Sequence, residues 1–287
     1  MTGATTHHSL RDVLAVLEGA YPLHWSEDWD RVGLVLGERD APVTRVLLAV
    51  DPTLATAREA TDVGAQVLVT HHPLLLRGAS FLPADDGKGS VVTTLIRERV
   101  ALWCGHTNVD RSSRGTVGAW IGALDLVDAR PLVPGREDGP SAEAAHGSRL
   151  VGLGAVGELR APTTVGELAR TVAGLVPATA RGVAHTGDPD REVRTVAVCP
   201  GAGDSFLDVA AASGADVYIT SDLRHHPALE HLESAADPSA VPALVDVAHA
   251  ASEALWLPLA ADLLIEALPG LDVVISEHST DPWTGRV

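Results

Sequence analysis

Residues 44–70 read TRVLLAVDPTLATAREATDVGAQVLVT, and residues 194–220 read RTVAVCPGAGDSFLDVAAASGADVYIT. The two stretches align without a gap at an offset of 150. Val46, Ala60, Gly64, Ala65, Val67 and Thr70 recur as Val196, Ala210, Gly214, Ala215, Val217 and Thr220. In the first copy the run RVLLAVD (45–51) predicts a short buried strand, 53–63 a helix, Gly64-Ala65 its terminator and 66–70 the next strand. Strands alternating with helices predict α/β layers, and the recurrence predicts two related α/β units. Ligand sites in such folds favour the carboxyl ends of strands and domain interfaces.

Working outward, LRDVLAVLEGA from Leu10 and VVTTLIRERV (91–100) have helical spacing, and ALWCGHTNVD (101–110) reads as a strand running into a loop. The stretch between the first two helices, YPLHWSEDWDRVGLVLGERD, is rich in turn residues and tryptophan. LVPGREDGPSAEAAHGS (132–148) is rich in Gly, Pro and Ala and predicts a loop or linker. After it come a short strand over 150–156, a helix from near Thr164 and a strand over 194–199.

Composition narrows the function classes. The 287 residues are 46% hydrophobic, enough for a sizeable core built on Ala, Val and Leu, because aromatics make up 3%. A net charge of −17 offers no basic face for nucleic acid or an anionic membrane. No apolar run approaches the roughly 20 residues of a membrane span, and MTGATTHHSL lacks the pattern of a secretory signal. Cys104 and Cys199 lie far apart, without metal-type spacing, and read as buried free thiols. The expectation is a cytoplasmic protein with no nucleic-acid and no membrane partner.

Four segments carry metal-ligand residue types: THHPLL with His71 and His72, GHTNVD with His106 and Asp110, TSDLRHHPALEH with Asp222, His225, His226 and His231, and VDVAHAASEAL with His249 and Glu253. Adjacent residues on a strand face opposite sides, so His71 and His72 can serve one site only where the strand stops, and Pro73 bars a helix there. His249 and Glu253, at i and i+4, share one face of a helix, which suits half of a divalent-metal site and equally a solvated helix face. Asp110 is either a ligand or the cap of a turn. Taken together, histidines and carboxylates at element ends suit first-row divalent ions, and the lack of Cys ligands disfavours a structural zinc site.

The chain resembles the GTP cyclohydrolase 1 type 2 homologs, the Nif-three-like dinuclear metal-centre hexameric proteins. The resemblance rests on WDRVGLVLG (29–37), THHPLL, GHTNVD, SDLRHHPAL, DVAHAASE and the closing HSTDPWTG, in family order along nearly the whole chain. It implies two similar intertwined α/β domains with helices packed on central sheets and the metal site between them, here divided as 1–128 with 247–287, and 129–246. It implies a homohexameric ring. It implies two divalent ions per chain (Zn, Fe, Mn, Ni or Co) on His71, His72, Asp110, His249 and Glu253, with His106 close by as a catalytic candidate. The implied activity is a metal-dependent hydrolase acting on a nucleotide, as in GTP cyclohydrolysis, or on a phosphoester, with a small anionic substrate. The alternative is a non-enzymatic metal-binding regulatory or trafficking ring. His225 and His226 are further candidates for proton transfer, against a reading as surface histidines. Two departures from the family pattern stand out: Arg31 replaces an Asn after Trp29-Asp30, and Ala248 replaces the Gly before His249, where Gly would permit backbone angles that Ala restricts.

Overall fold

The computed structural model describes residues 8–135 and 151–287. In chain order the first elements are β1 (His8–Ser9), α1 (Leu10–Ala20), β2 (Gly33–Leu36), β3 (Pro42–Val43), β4 (Arg45–Ala49), α2 (Leu54–Asp62) and β5 (Val67–Thr70). Then follow α3 (Gly87–Arg97), β6 (Ala101–Cys104), α4 (Thr107–Asp110), α5 (Thr116–Ala123), β7 (Val127–Pro134), β8 (Gly152–Thr164) and α6 (Val165–Leu175). The chain closes with β9 (Ala184–His185), β10 (Glu192–Ala202), α7 (Leu207–Ala212), β11 (Val217–Ser221), α8 (His225–Leu232), β12 (Ala243–Val247), α9 (His249–Ala254), α10 (Trp256–Ala267) and β13 (Asp272–Ile275).

Two compact units form. Among the described residues, 8–109 with 256–280 make one, and 110–135, 151–255 and 281–287 make the other. Among the described residues the divisions fall after Val109, Leu255 and Thr280.

In the first unit, five strands lie in the order β13-β4-β5-β6-β2, parallel except for the antiparallel edge strand β2. Every residue of β5 and β6 is buried, as a parallel strand covered on both faces requires. Helix α1 begins at a capping box in which Ser9 and Asp12 satisfy each other's backbone N–H. Its buried Leu10, Val13, Leu14 and Leu17 form one stripe. Helix α2 is capped by Thr53 and stops at Gly64, whose φ of +70° is the left-handed conformation that glycine adopts without strain. Leu47, Ala57, Ala60, Leu68, Leu95 and Leu102 pack into one core.

In the second unit, six strands lie in the order β7-β8-β10-β11-β12-β9, with β10, β11 and β12 parallel and the others antiparallel. Its larger core centres on Trp120, Leu168, Val172, Val196, Val217 and Val245.

The repeat predicted at an offset of 150 holds residue for residue in the hydrogen bonding. Val46 pairs with Val67 and Leu47 with Leu68; Val196 pairs with Val217 and Ala197 with Tyr218. Gln66 Oε1 accepts from the N–H groups of Thr44 and Arg45, and Asp216 Oδ2 accepts from those of Arg194 and Thr195. The copies diverge after Val198, where β10 bulges before Ala202 pairs with Ser221.

Several elements differ from the sequence reading. GHTNVD enters the short helix α4 rather than a loop. β8 and β10 run to 13 and 11 residues because they pair antiparallel with each other, a partnership that apolar periodicity does not encode. The expected linker at 132–148 begins within β7, and 136–148 lies outside the described residues. A second His-His-Pro, at 225–227, opens α8, where Pro227 is tolerated because a first-turn N–H has no helical acceptor to lose.

Candidate metal centre

The chemistry of each unit gathers at the carboxyl edge of its parallel strands, where side chains leave the sheet and backbone amides turn. In the first unit, β4 leads to Asp51, β5 to His71 and His72, and β6 to Gly105 and His106. The chain turns sharply after Thr70. The amides of His71 and His72 both donate to the carbonyl of Val50, at 3.1 and 2.9 Å, so neither residue continues the ladder. That turn is what lets two adjacent histidines reach one place. One ring nitrogen from each of His71, His72 and His106 lies within 4.8 Å of the others.

All three rings are held through Nδ1. His71 Nδ1 donates to the Gly105 carbonyl at 2.9 Å. His72 Nδ1 meets Asp51 Oδ1 at 2.7 Å, and His106 Nδ1 meets Asp30 Oδ1 at 2.9 Å. A carbonyl or carboxylate can only accept, so Nδ1 carries the proton and Nε2 carries the lone pair. That tautomer is the one required of an Nε2 metal ligand, and carboxylate or carbonyl partners on the far nitrogen are the usual companions of metal-bound histidine.

Asp30 is nearly inaccessible, at 5% exposure. Burial alone would raise its pKa. The hydrogen bond and electrostatic attraction of the His106 ring, with bonds from the Thr107 hydroxyl and amide, outweigh burial and hold the carboxyl at about 2. Trp29, half exposed on the same turn, makes a T-shaped pair with His106 at 5.8 Å between ring centres. Arg31 folds back on this turn: its amide donates to Asp30 Oδ1, and its guanidinium donates to the carbonyls of Asp28 and Asp30.

In the second unit, β12 leads through Ala248 into α9, which carries His249 and Glu253 on one face. His249 Nε2 lies 2.9 Å from Glu253 Oε1. Glu253 is buried, at 3% exposure, which a solvated helix face does not explain. His249 Nδ1 meets Asp222 Oδ2 at 2.6 Å, repeating the carboxylate–imidazole pattern of the first unit. Asp222 holds this position at φ +55°, a left-handed conformation that Asp tolerates better than most residues. Ala248 caps α9 at φ −61° and ψ 131°, ordinary extended angles, so replacing Gly there introduces no strain.

Gly201, at the bulge of β10, has φ +71°, and a Cβ on it would sit 2.5 Å from Glu253 Oε1 and 3.2 Å from His249 Nε2. The glycine gives these two side chains their space. Asp110, at the end of α4, accepts a hydrogen bond from the Thr116 hydroxyl. Its charge reaches the same neighbourhood: burial, then Asp110 and Glu253, push the Cys199 thiol up to about 12. Cys104 is likewise pushed to about 12 by burial and then by Asp30. Both cysteines are buried and free.

Each predicted site residue thus stands at one of these two edges. His225 and His226 face each other at 5.1 Å between ring centres on the exposed start of α8, outside the three-histidine group. His231 is buried and bonds the Pro242 carbonyl, a packing role. Sequence reasoning gave no role to Asp51 or Gly201, and it grouped Asp222 with the ligand-type residues of its segment rather than as the partner of His249. A signal for them existed: Asp51 and Gly201 are equivalent under the repeat, as are His72 and Asp222, so positions that close one strand edge do matching work at the other.

The sequence profile of Duf34/NIF3 (NGG1p interacting factor 3) matches residues 8–282. The chain belongs to the Duf34/NIF3 family. A Streptomyces coelicolor protein named GTP cyclohydrolase 1 type 2 homolog is 46% identical over 282 residues, covering 97% of this chain and 94% of that one. A Mycobacterium leprae protein of the same name is 33% identical and covers 96% and 94% of the two chains. Among solved structures, a Bacillus cereus protein related to NIF3 superposes with a TM-score of 0.84 at 22% identity, over 99% of this chain and 100% of that one. That likeness establishes the shared Duf34/NIF3 fold. Among the described residues, no helix is long and apolar enough to cross a membrane.

Proposed function

We propose that His71, His72, Asp110, His249 and Glu253 hold two divalent metal ions, and that the protein is a metal-dependent hydrolase of a nucleotide or another phosphoester. The observation that carries this reading is the treatment of the histidines. His71, His72 and His249 each have Nδ1 held by a carbonyl or carboxylate, which selects the tautomer that ligates through Nε2. The donor set of imidazole and carboxylate fits Zn, Fe, Mn, Ni or Co. Bound ions would lower the pKa of water toward neutrality and neutralise an anionic substrate. The name carried by the relatives points to GTP as the first substrate to try.

The chain's own groups supply the rest. Asp30 fixes the ring of His106, so Nε2 is the nitrogen that takes or gives a proton. Its geometry also suits a third nitrogen donor beside His71 and His72. His106→Ala separates the two roles: turnover lost with metal retained supports proton transfer, whereas metal lost with it assigns a ligand. The exposed Trp29 and Arg31 lie on the turn that Asp30 anchors, where a substrate ring or phosphate could meet them.

The test is turnover of GTP and of nucleotide phosphoesters by metal-loaded protein, read by chromatography, beside Asp110→Ala and Glu253→Ala. Turnover in the parent and its loss in both folded variants supports the hydrolase. Metal exchange without turnover of any of these compounds supports the second reading, a non-enzymatic metal-trafficking or regulatory protein. The same resemblance supports a homohexameric ring, which light scattering on the eluting protein measures directly.

A further inference from the structure

The closing segment HSTDPW has no role in the function above, yet its Thr280 reaches the candidate site. The Thr280 hydroxyl donates to Asp51 Oδ2, while Asp51 Oδ1 holds His72 Nδ1 at 2.7 Å. All three side chains belong to the first unit and are at least partly buried. The backbone of Asp51 is fixed as well: its carbonyl accepts from the Thr53 amide and the Thr56 hydroxyl, at 3.0 and 2.8 Å. Pro52 confines Asp51 to extended angles. His72 is tied from its own side, since Thr70 Oγ1 donates to its carbonyl at 3.0 Å.

We propose that Thr280 and Asp51 are positioning residues that set the tautomer and ring plane of His72, which makes the closing segment part of the metal centre. A carboxylate rotates about its Cβ–Cγ bond unless its second oxygen is engaged. With Oδ2 held by Thr280, Oδ1 stays where Nδ1–H of His72 meets it, and Nε2 keeps one direction. Without the hydroxyl, the hold on Oδ2 is lost, and Asp51 fixes the Nδ1–H tautomer of the imidazole less firmly. A residue far from His72 in sequence then governs a ligand without touching it.

The inference rests on the proposed metal reading only for its consequence in affinity; the tautomer of His72 can be read without metal. The experiment compares the full-length parent with Thr280→Val, Thr280→Ser and Asp51→Asn, each checked by circular dichroism. One readout is the long-range 1H–15N spectrum of the imidazoles in metal-free protein, with His72 assigned by its loss in His72→Gln. The other is Zn2+ affinity by competition with a chromophoric chelator. The parent and Thr280→Ser are expected to show His72 as the Nδ1–H tautomer alone. Thr280→Val and Asp51→Asn are expected to show both tautomers. Partners of ligand histidines contribute roughly 10–100-fold in metal affinity, so Asp51→Asn should weaken Zn2+ by that order and Thr280→Val by less, with Thr280→Ser restoring it. If Thr280 only tethers the chain end, Thr280→Val lowers the melting temperature and moves neither readout. That outcome overturns the proposal, as does a single tautomer in Asp51→Asn with Zn2+ affinity within twofold of the parent. Should Asp51→Asn fail to fold, Thr280→Val against Thr280→Ser decides. Should the parent bind no Zn2+, the metal reading falls while the tautomers still test the relay.

Discussion

Replacing Gly201 by Ala perturbs the centre with one methyl group, and Gly214→Ala provides the matched control in the same unit. Both glycines have left-handed φ, +71° and +80°. A side chain in that conformation costs roughly 1–2 kcal/mol, and both variants carry this penalty. They differ in what the methyl meets. At Gly214 nothing lies within 4 Å. At Gly201 the methyl stands 2.5 Å from Glu253 Oε1 and 3.2 Å from His249 Nε2, against ordinary contact from 3.4 Å. Glu253 is buried on a short helix whose Ser252 Oγ also accepts from the Gly201 amide at 3.0 Å, so it has little freedom to retreat. Overpacking of this kind costs roughly 1–3 kcal/mol. Gly201→Ala is therefore expected to lose about 2–5 kcal/mol and Gly214→Ala about 1–2 kcal/mol in urea unfolding. Metal affinity should separate them further. Moving Glu253 by most of an ångström and His249 by a few tenths should cost Gly201→Ala roughly 10-fold or more in affinity, while Gly214→Ala binds like the parent. Equal destabilisation of the two variants with unchanged metal binding in Gly201→Ala would refute the reasoning.

Two further expectations follow from buried polar groups. Cys104 and Cys199 have folded-state pKa values of about 12 against an ordinary 9. A raised acid favours the folded state fully below its unfolded value, and that stability is lost as pH rises through the folded one. Stability should fall between about pH 9 and 12, and iodoacetamide at pH 8.5 should label the native thiols far more slowly than the unfolded ones; equal rates would contradict their burial. Trp120→Phe removes the indole donor to the Ser252 carbonyl at 2.8 Å, both fully buried. Leaving that carbonyl unpaired should cost about 1–3 kcal/mol in chemical unfolding, and a loss under 0.5 kcal/mol would show that the carbonyl finds another donor.

What the sequence makes legible follows from short-range physics. The duplicated strand–helix–strand is visible because each copy repeats the same apolar runs and the same Gly-Ala stop, and Gly64 and Gly214 both close a turn at positive φ. His71 and His72 announce a strand end because a pair facing opposite sides has no other way to converge. His249 and Glu253 declare a helix face by spacing alone. The carboxylates behind the histidines are harder to see. Asp51, Asp30 and Asp222 reach their imidazoles across 21, 76 and 27 residues, distances that only the tertiary fold closes. Asp222 also sits at a left-handed backbone angle that apolar periodicity does not signal, and Thr280 reaches Asp51 across 229 residues. The identical His-His-Pro triplets part company because local sequence around each differs: THHPLLLRG follows a buried strand directly, whereas three residues separate β11 from the second triplet, room enough to start a helix.

The central claim is that five side chains hold two divalent ions. Elemental analysis of the purified full-length protein tests it most directly, on the parent beside Asp110→Ala and His249→Ala, with each fold checked by circular dichroism. The account predicts two metals per chain in the parent and a sharp fall in both folded variants. A parent that holds no metal after reconstitution with Zn, Mn or Fe would contradict it.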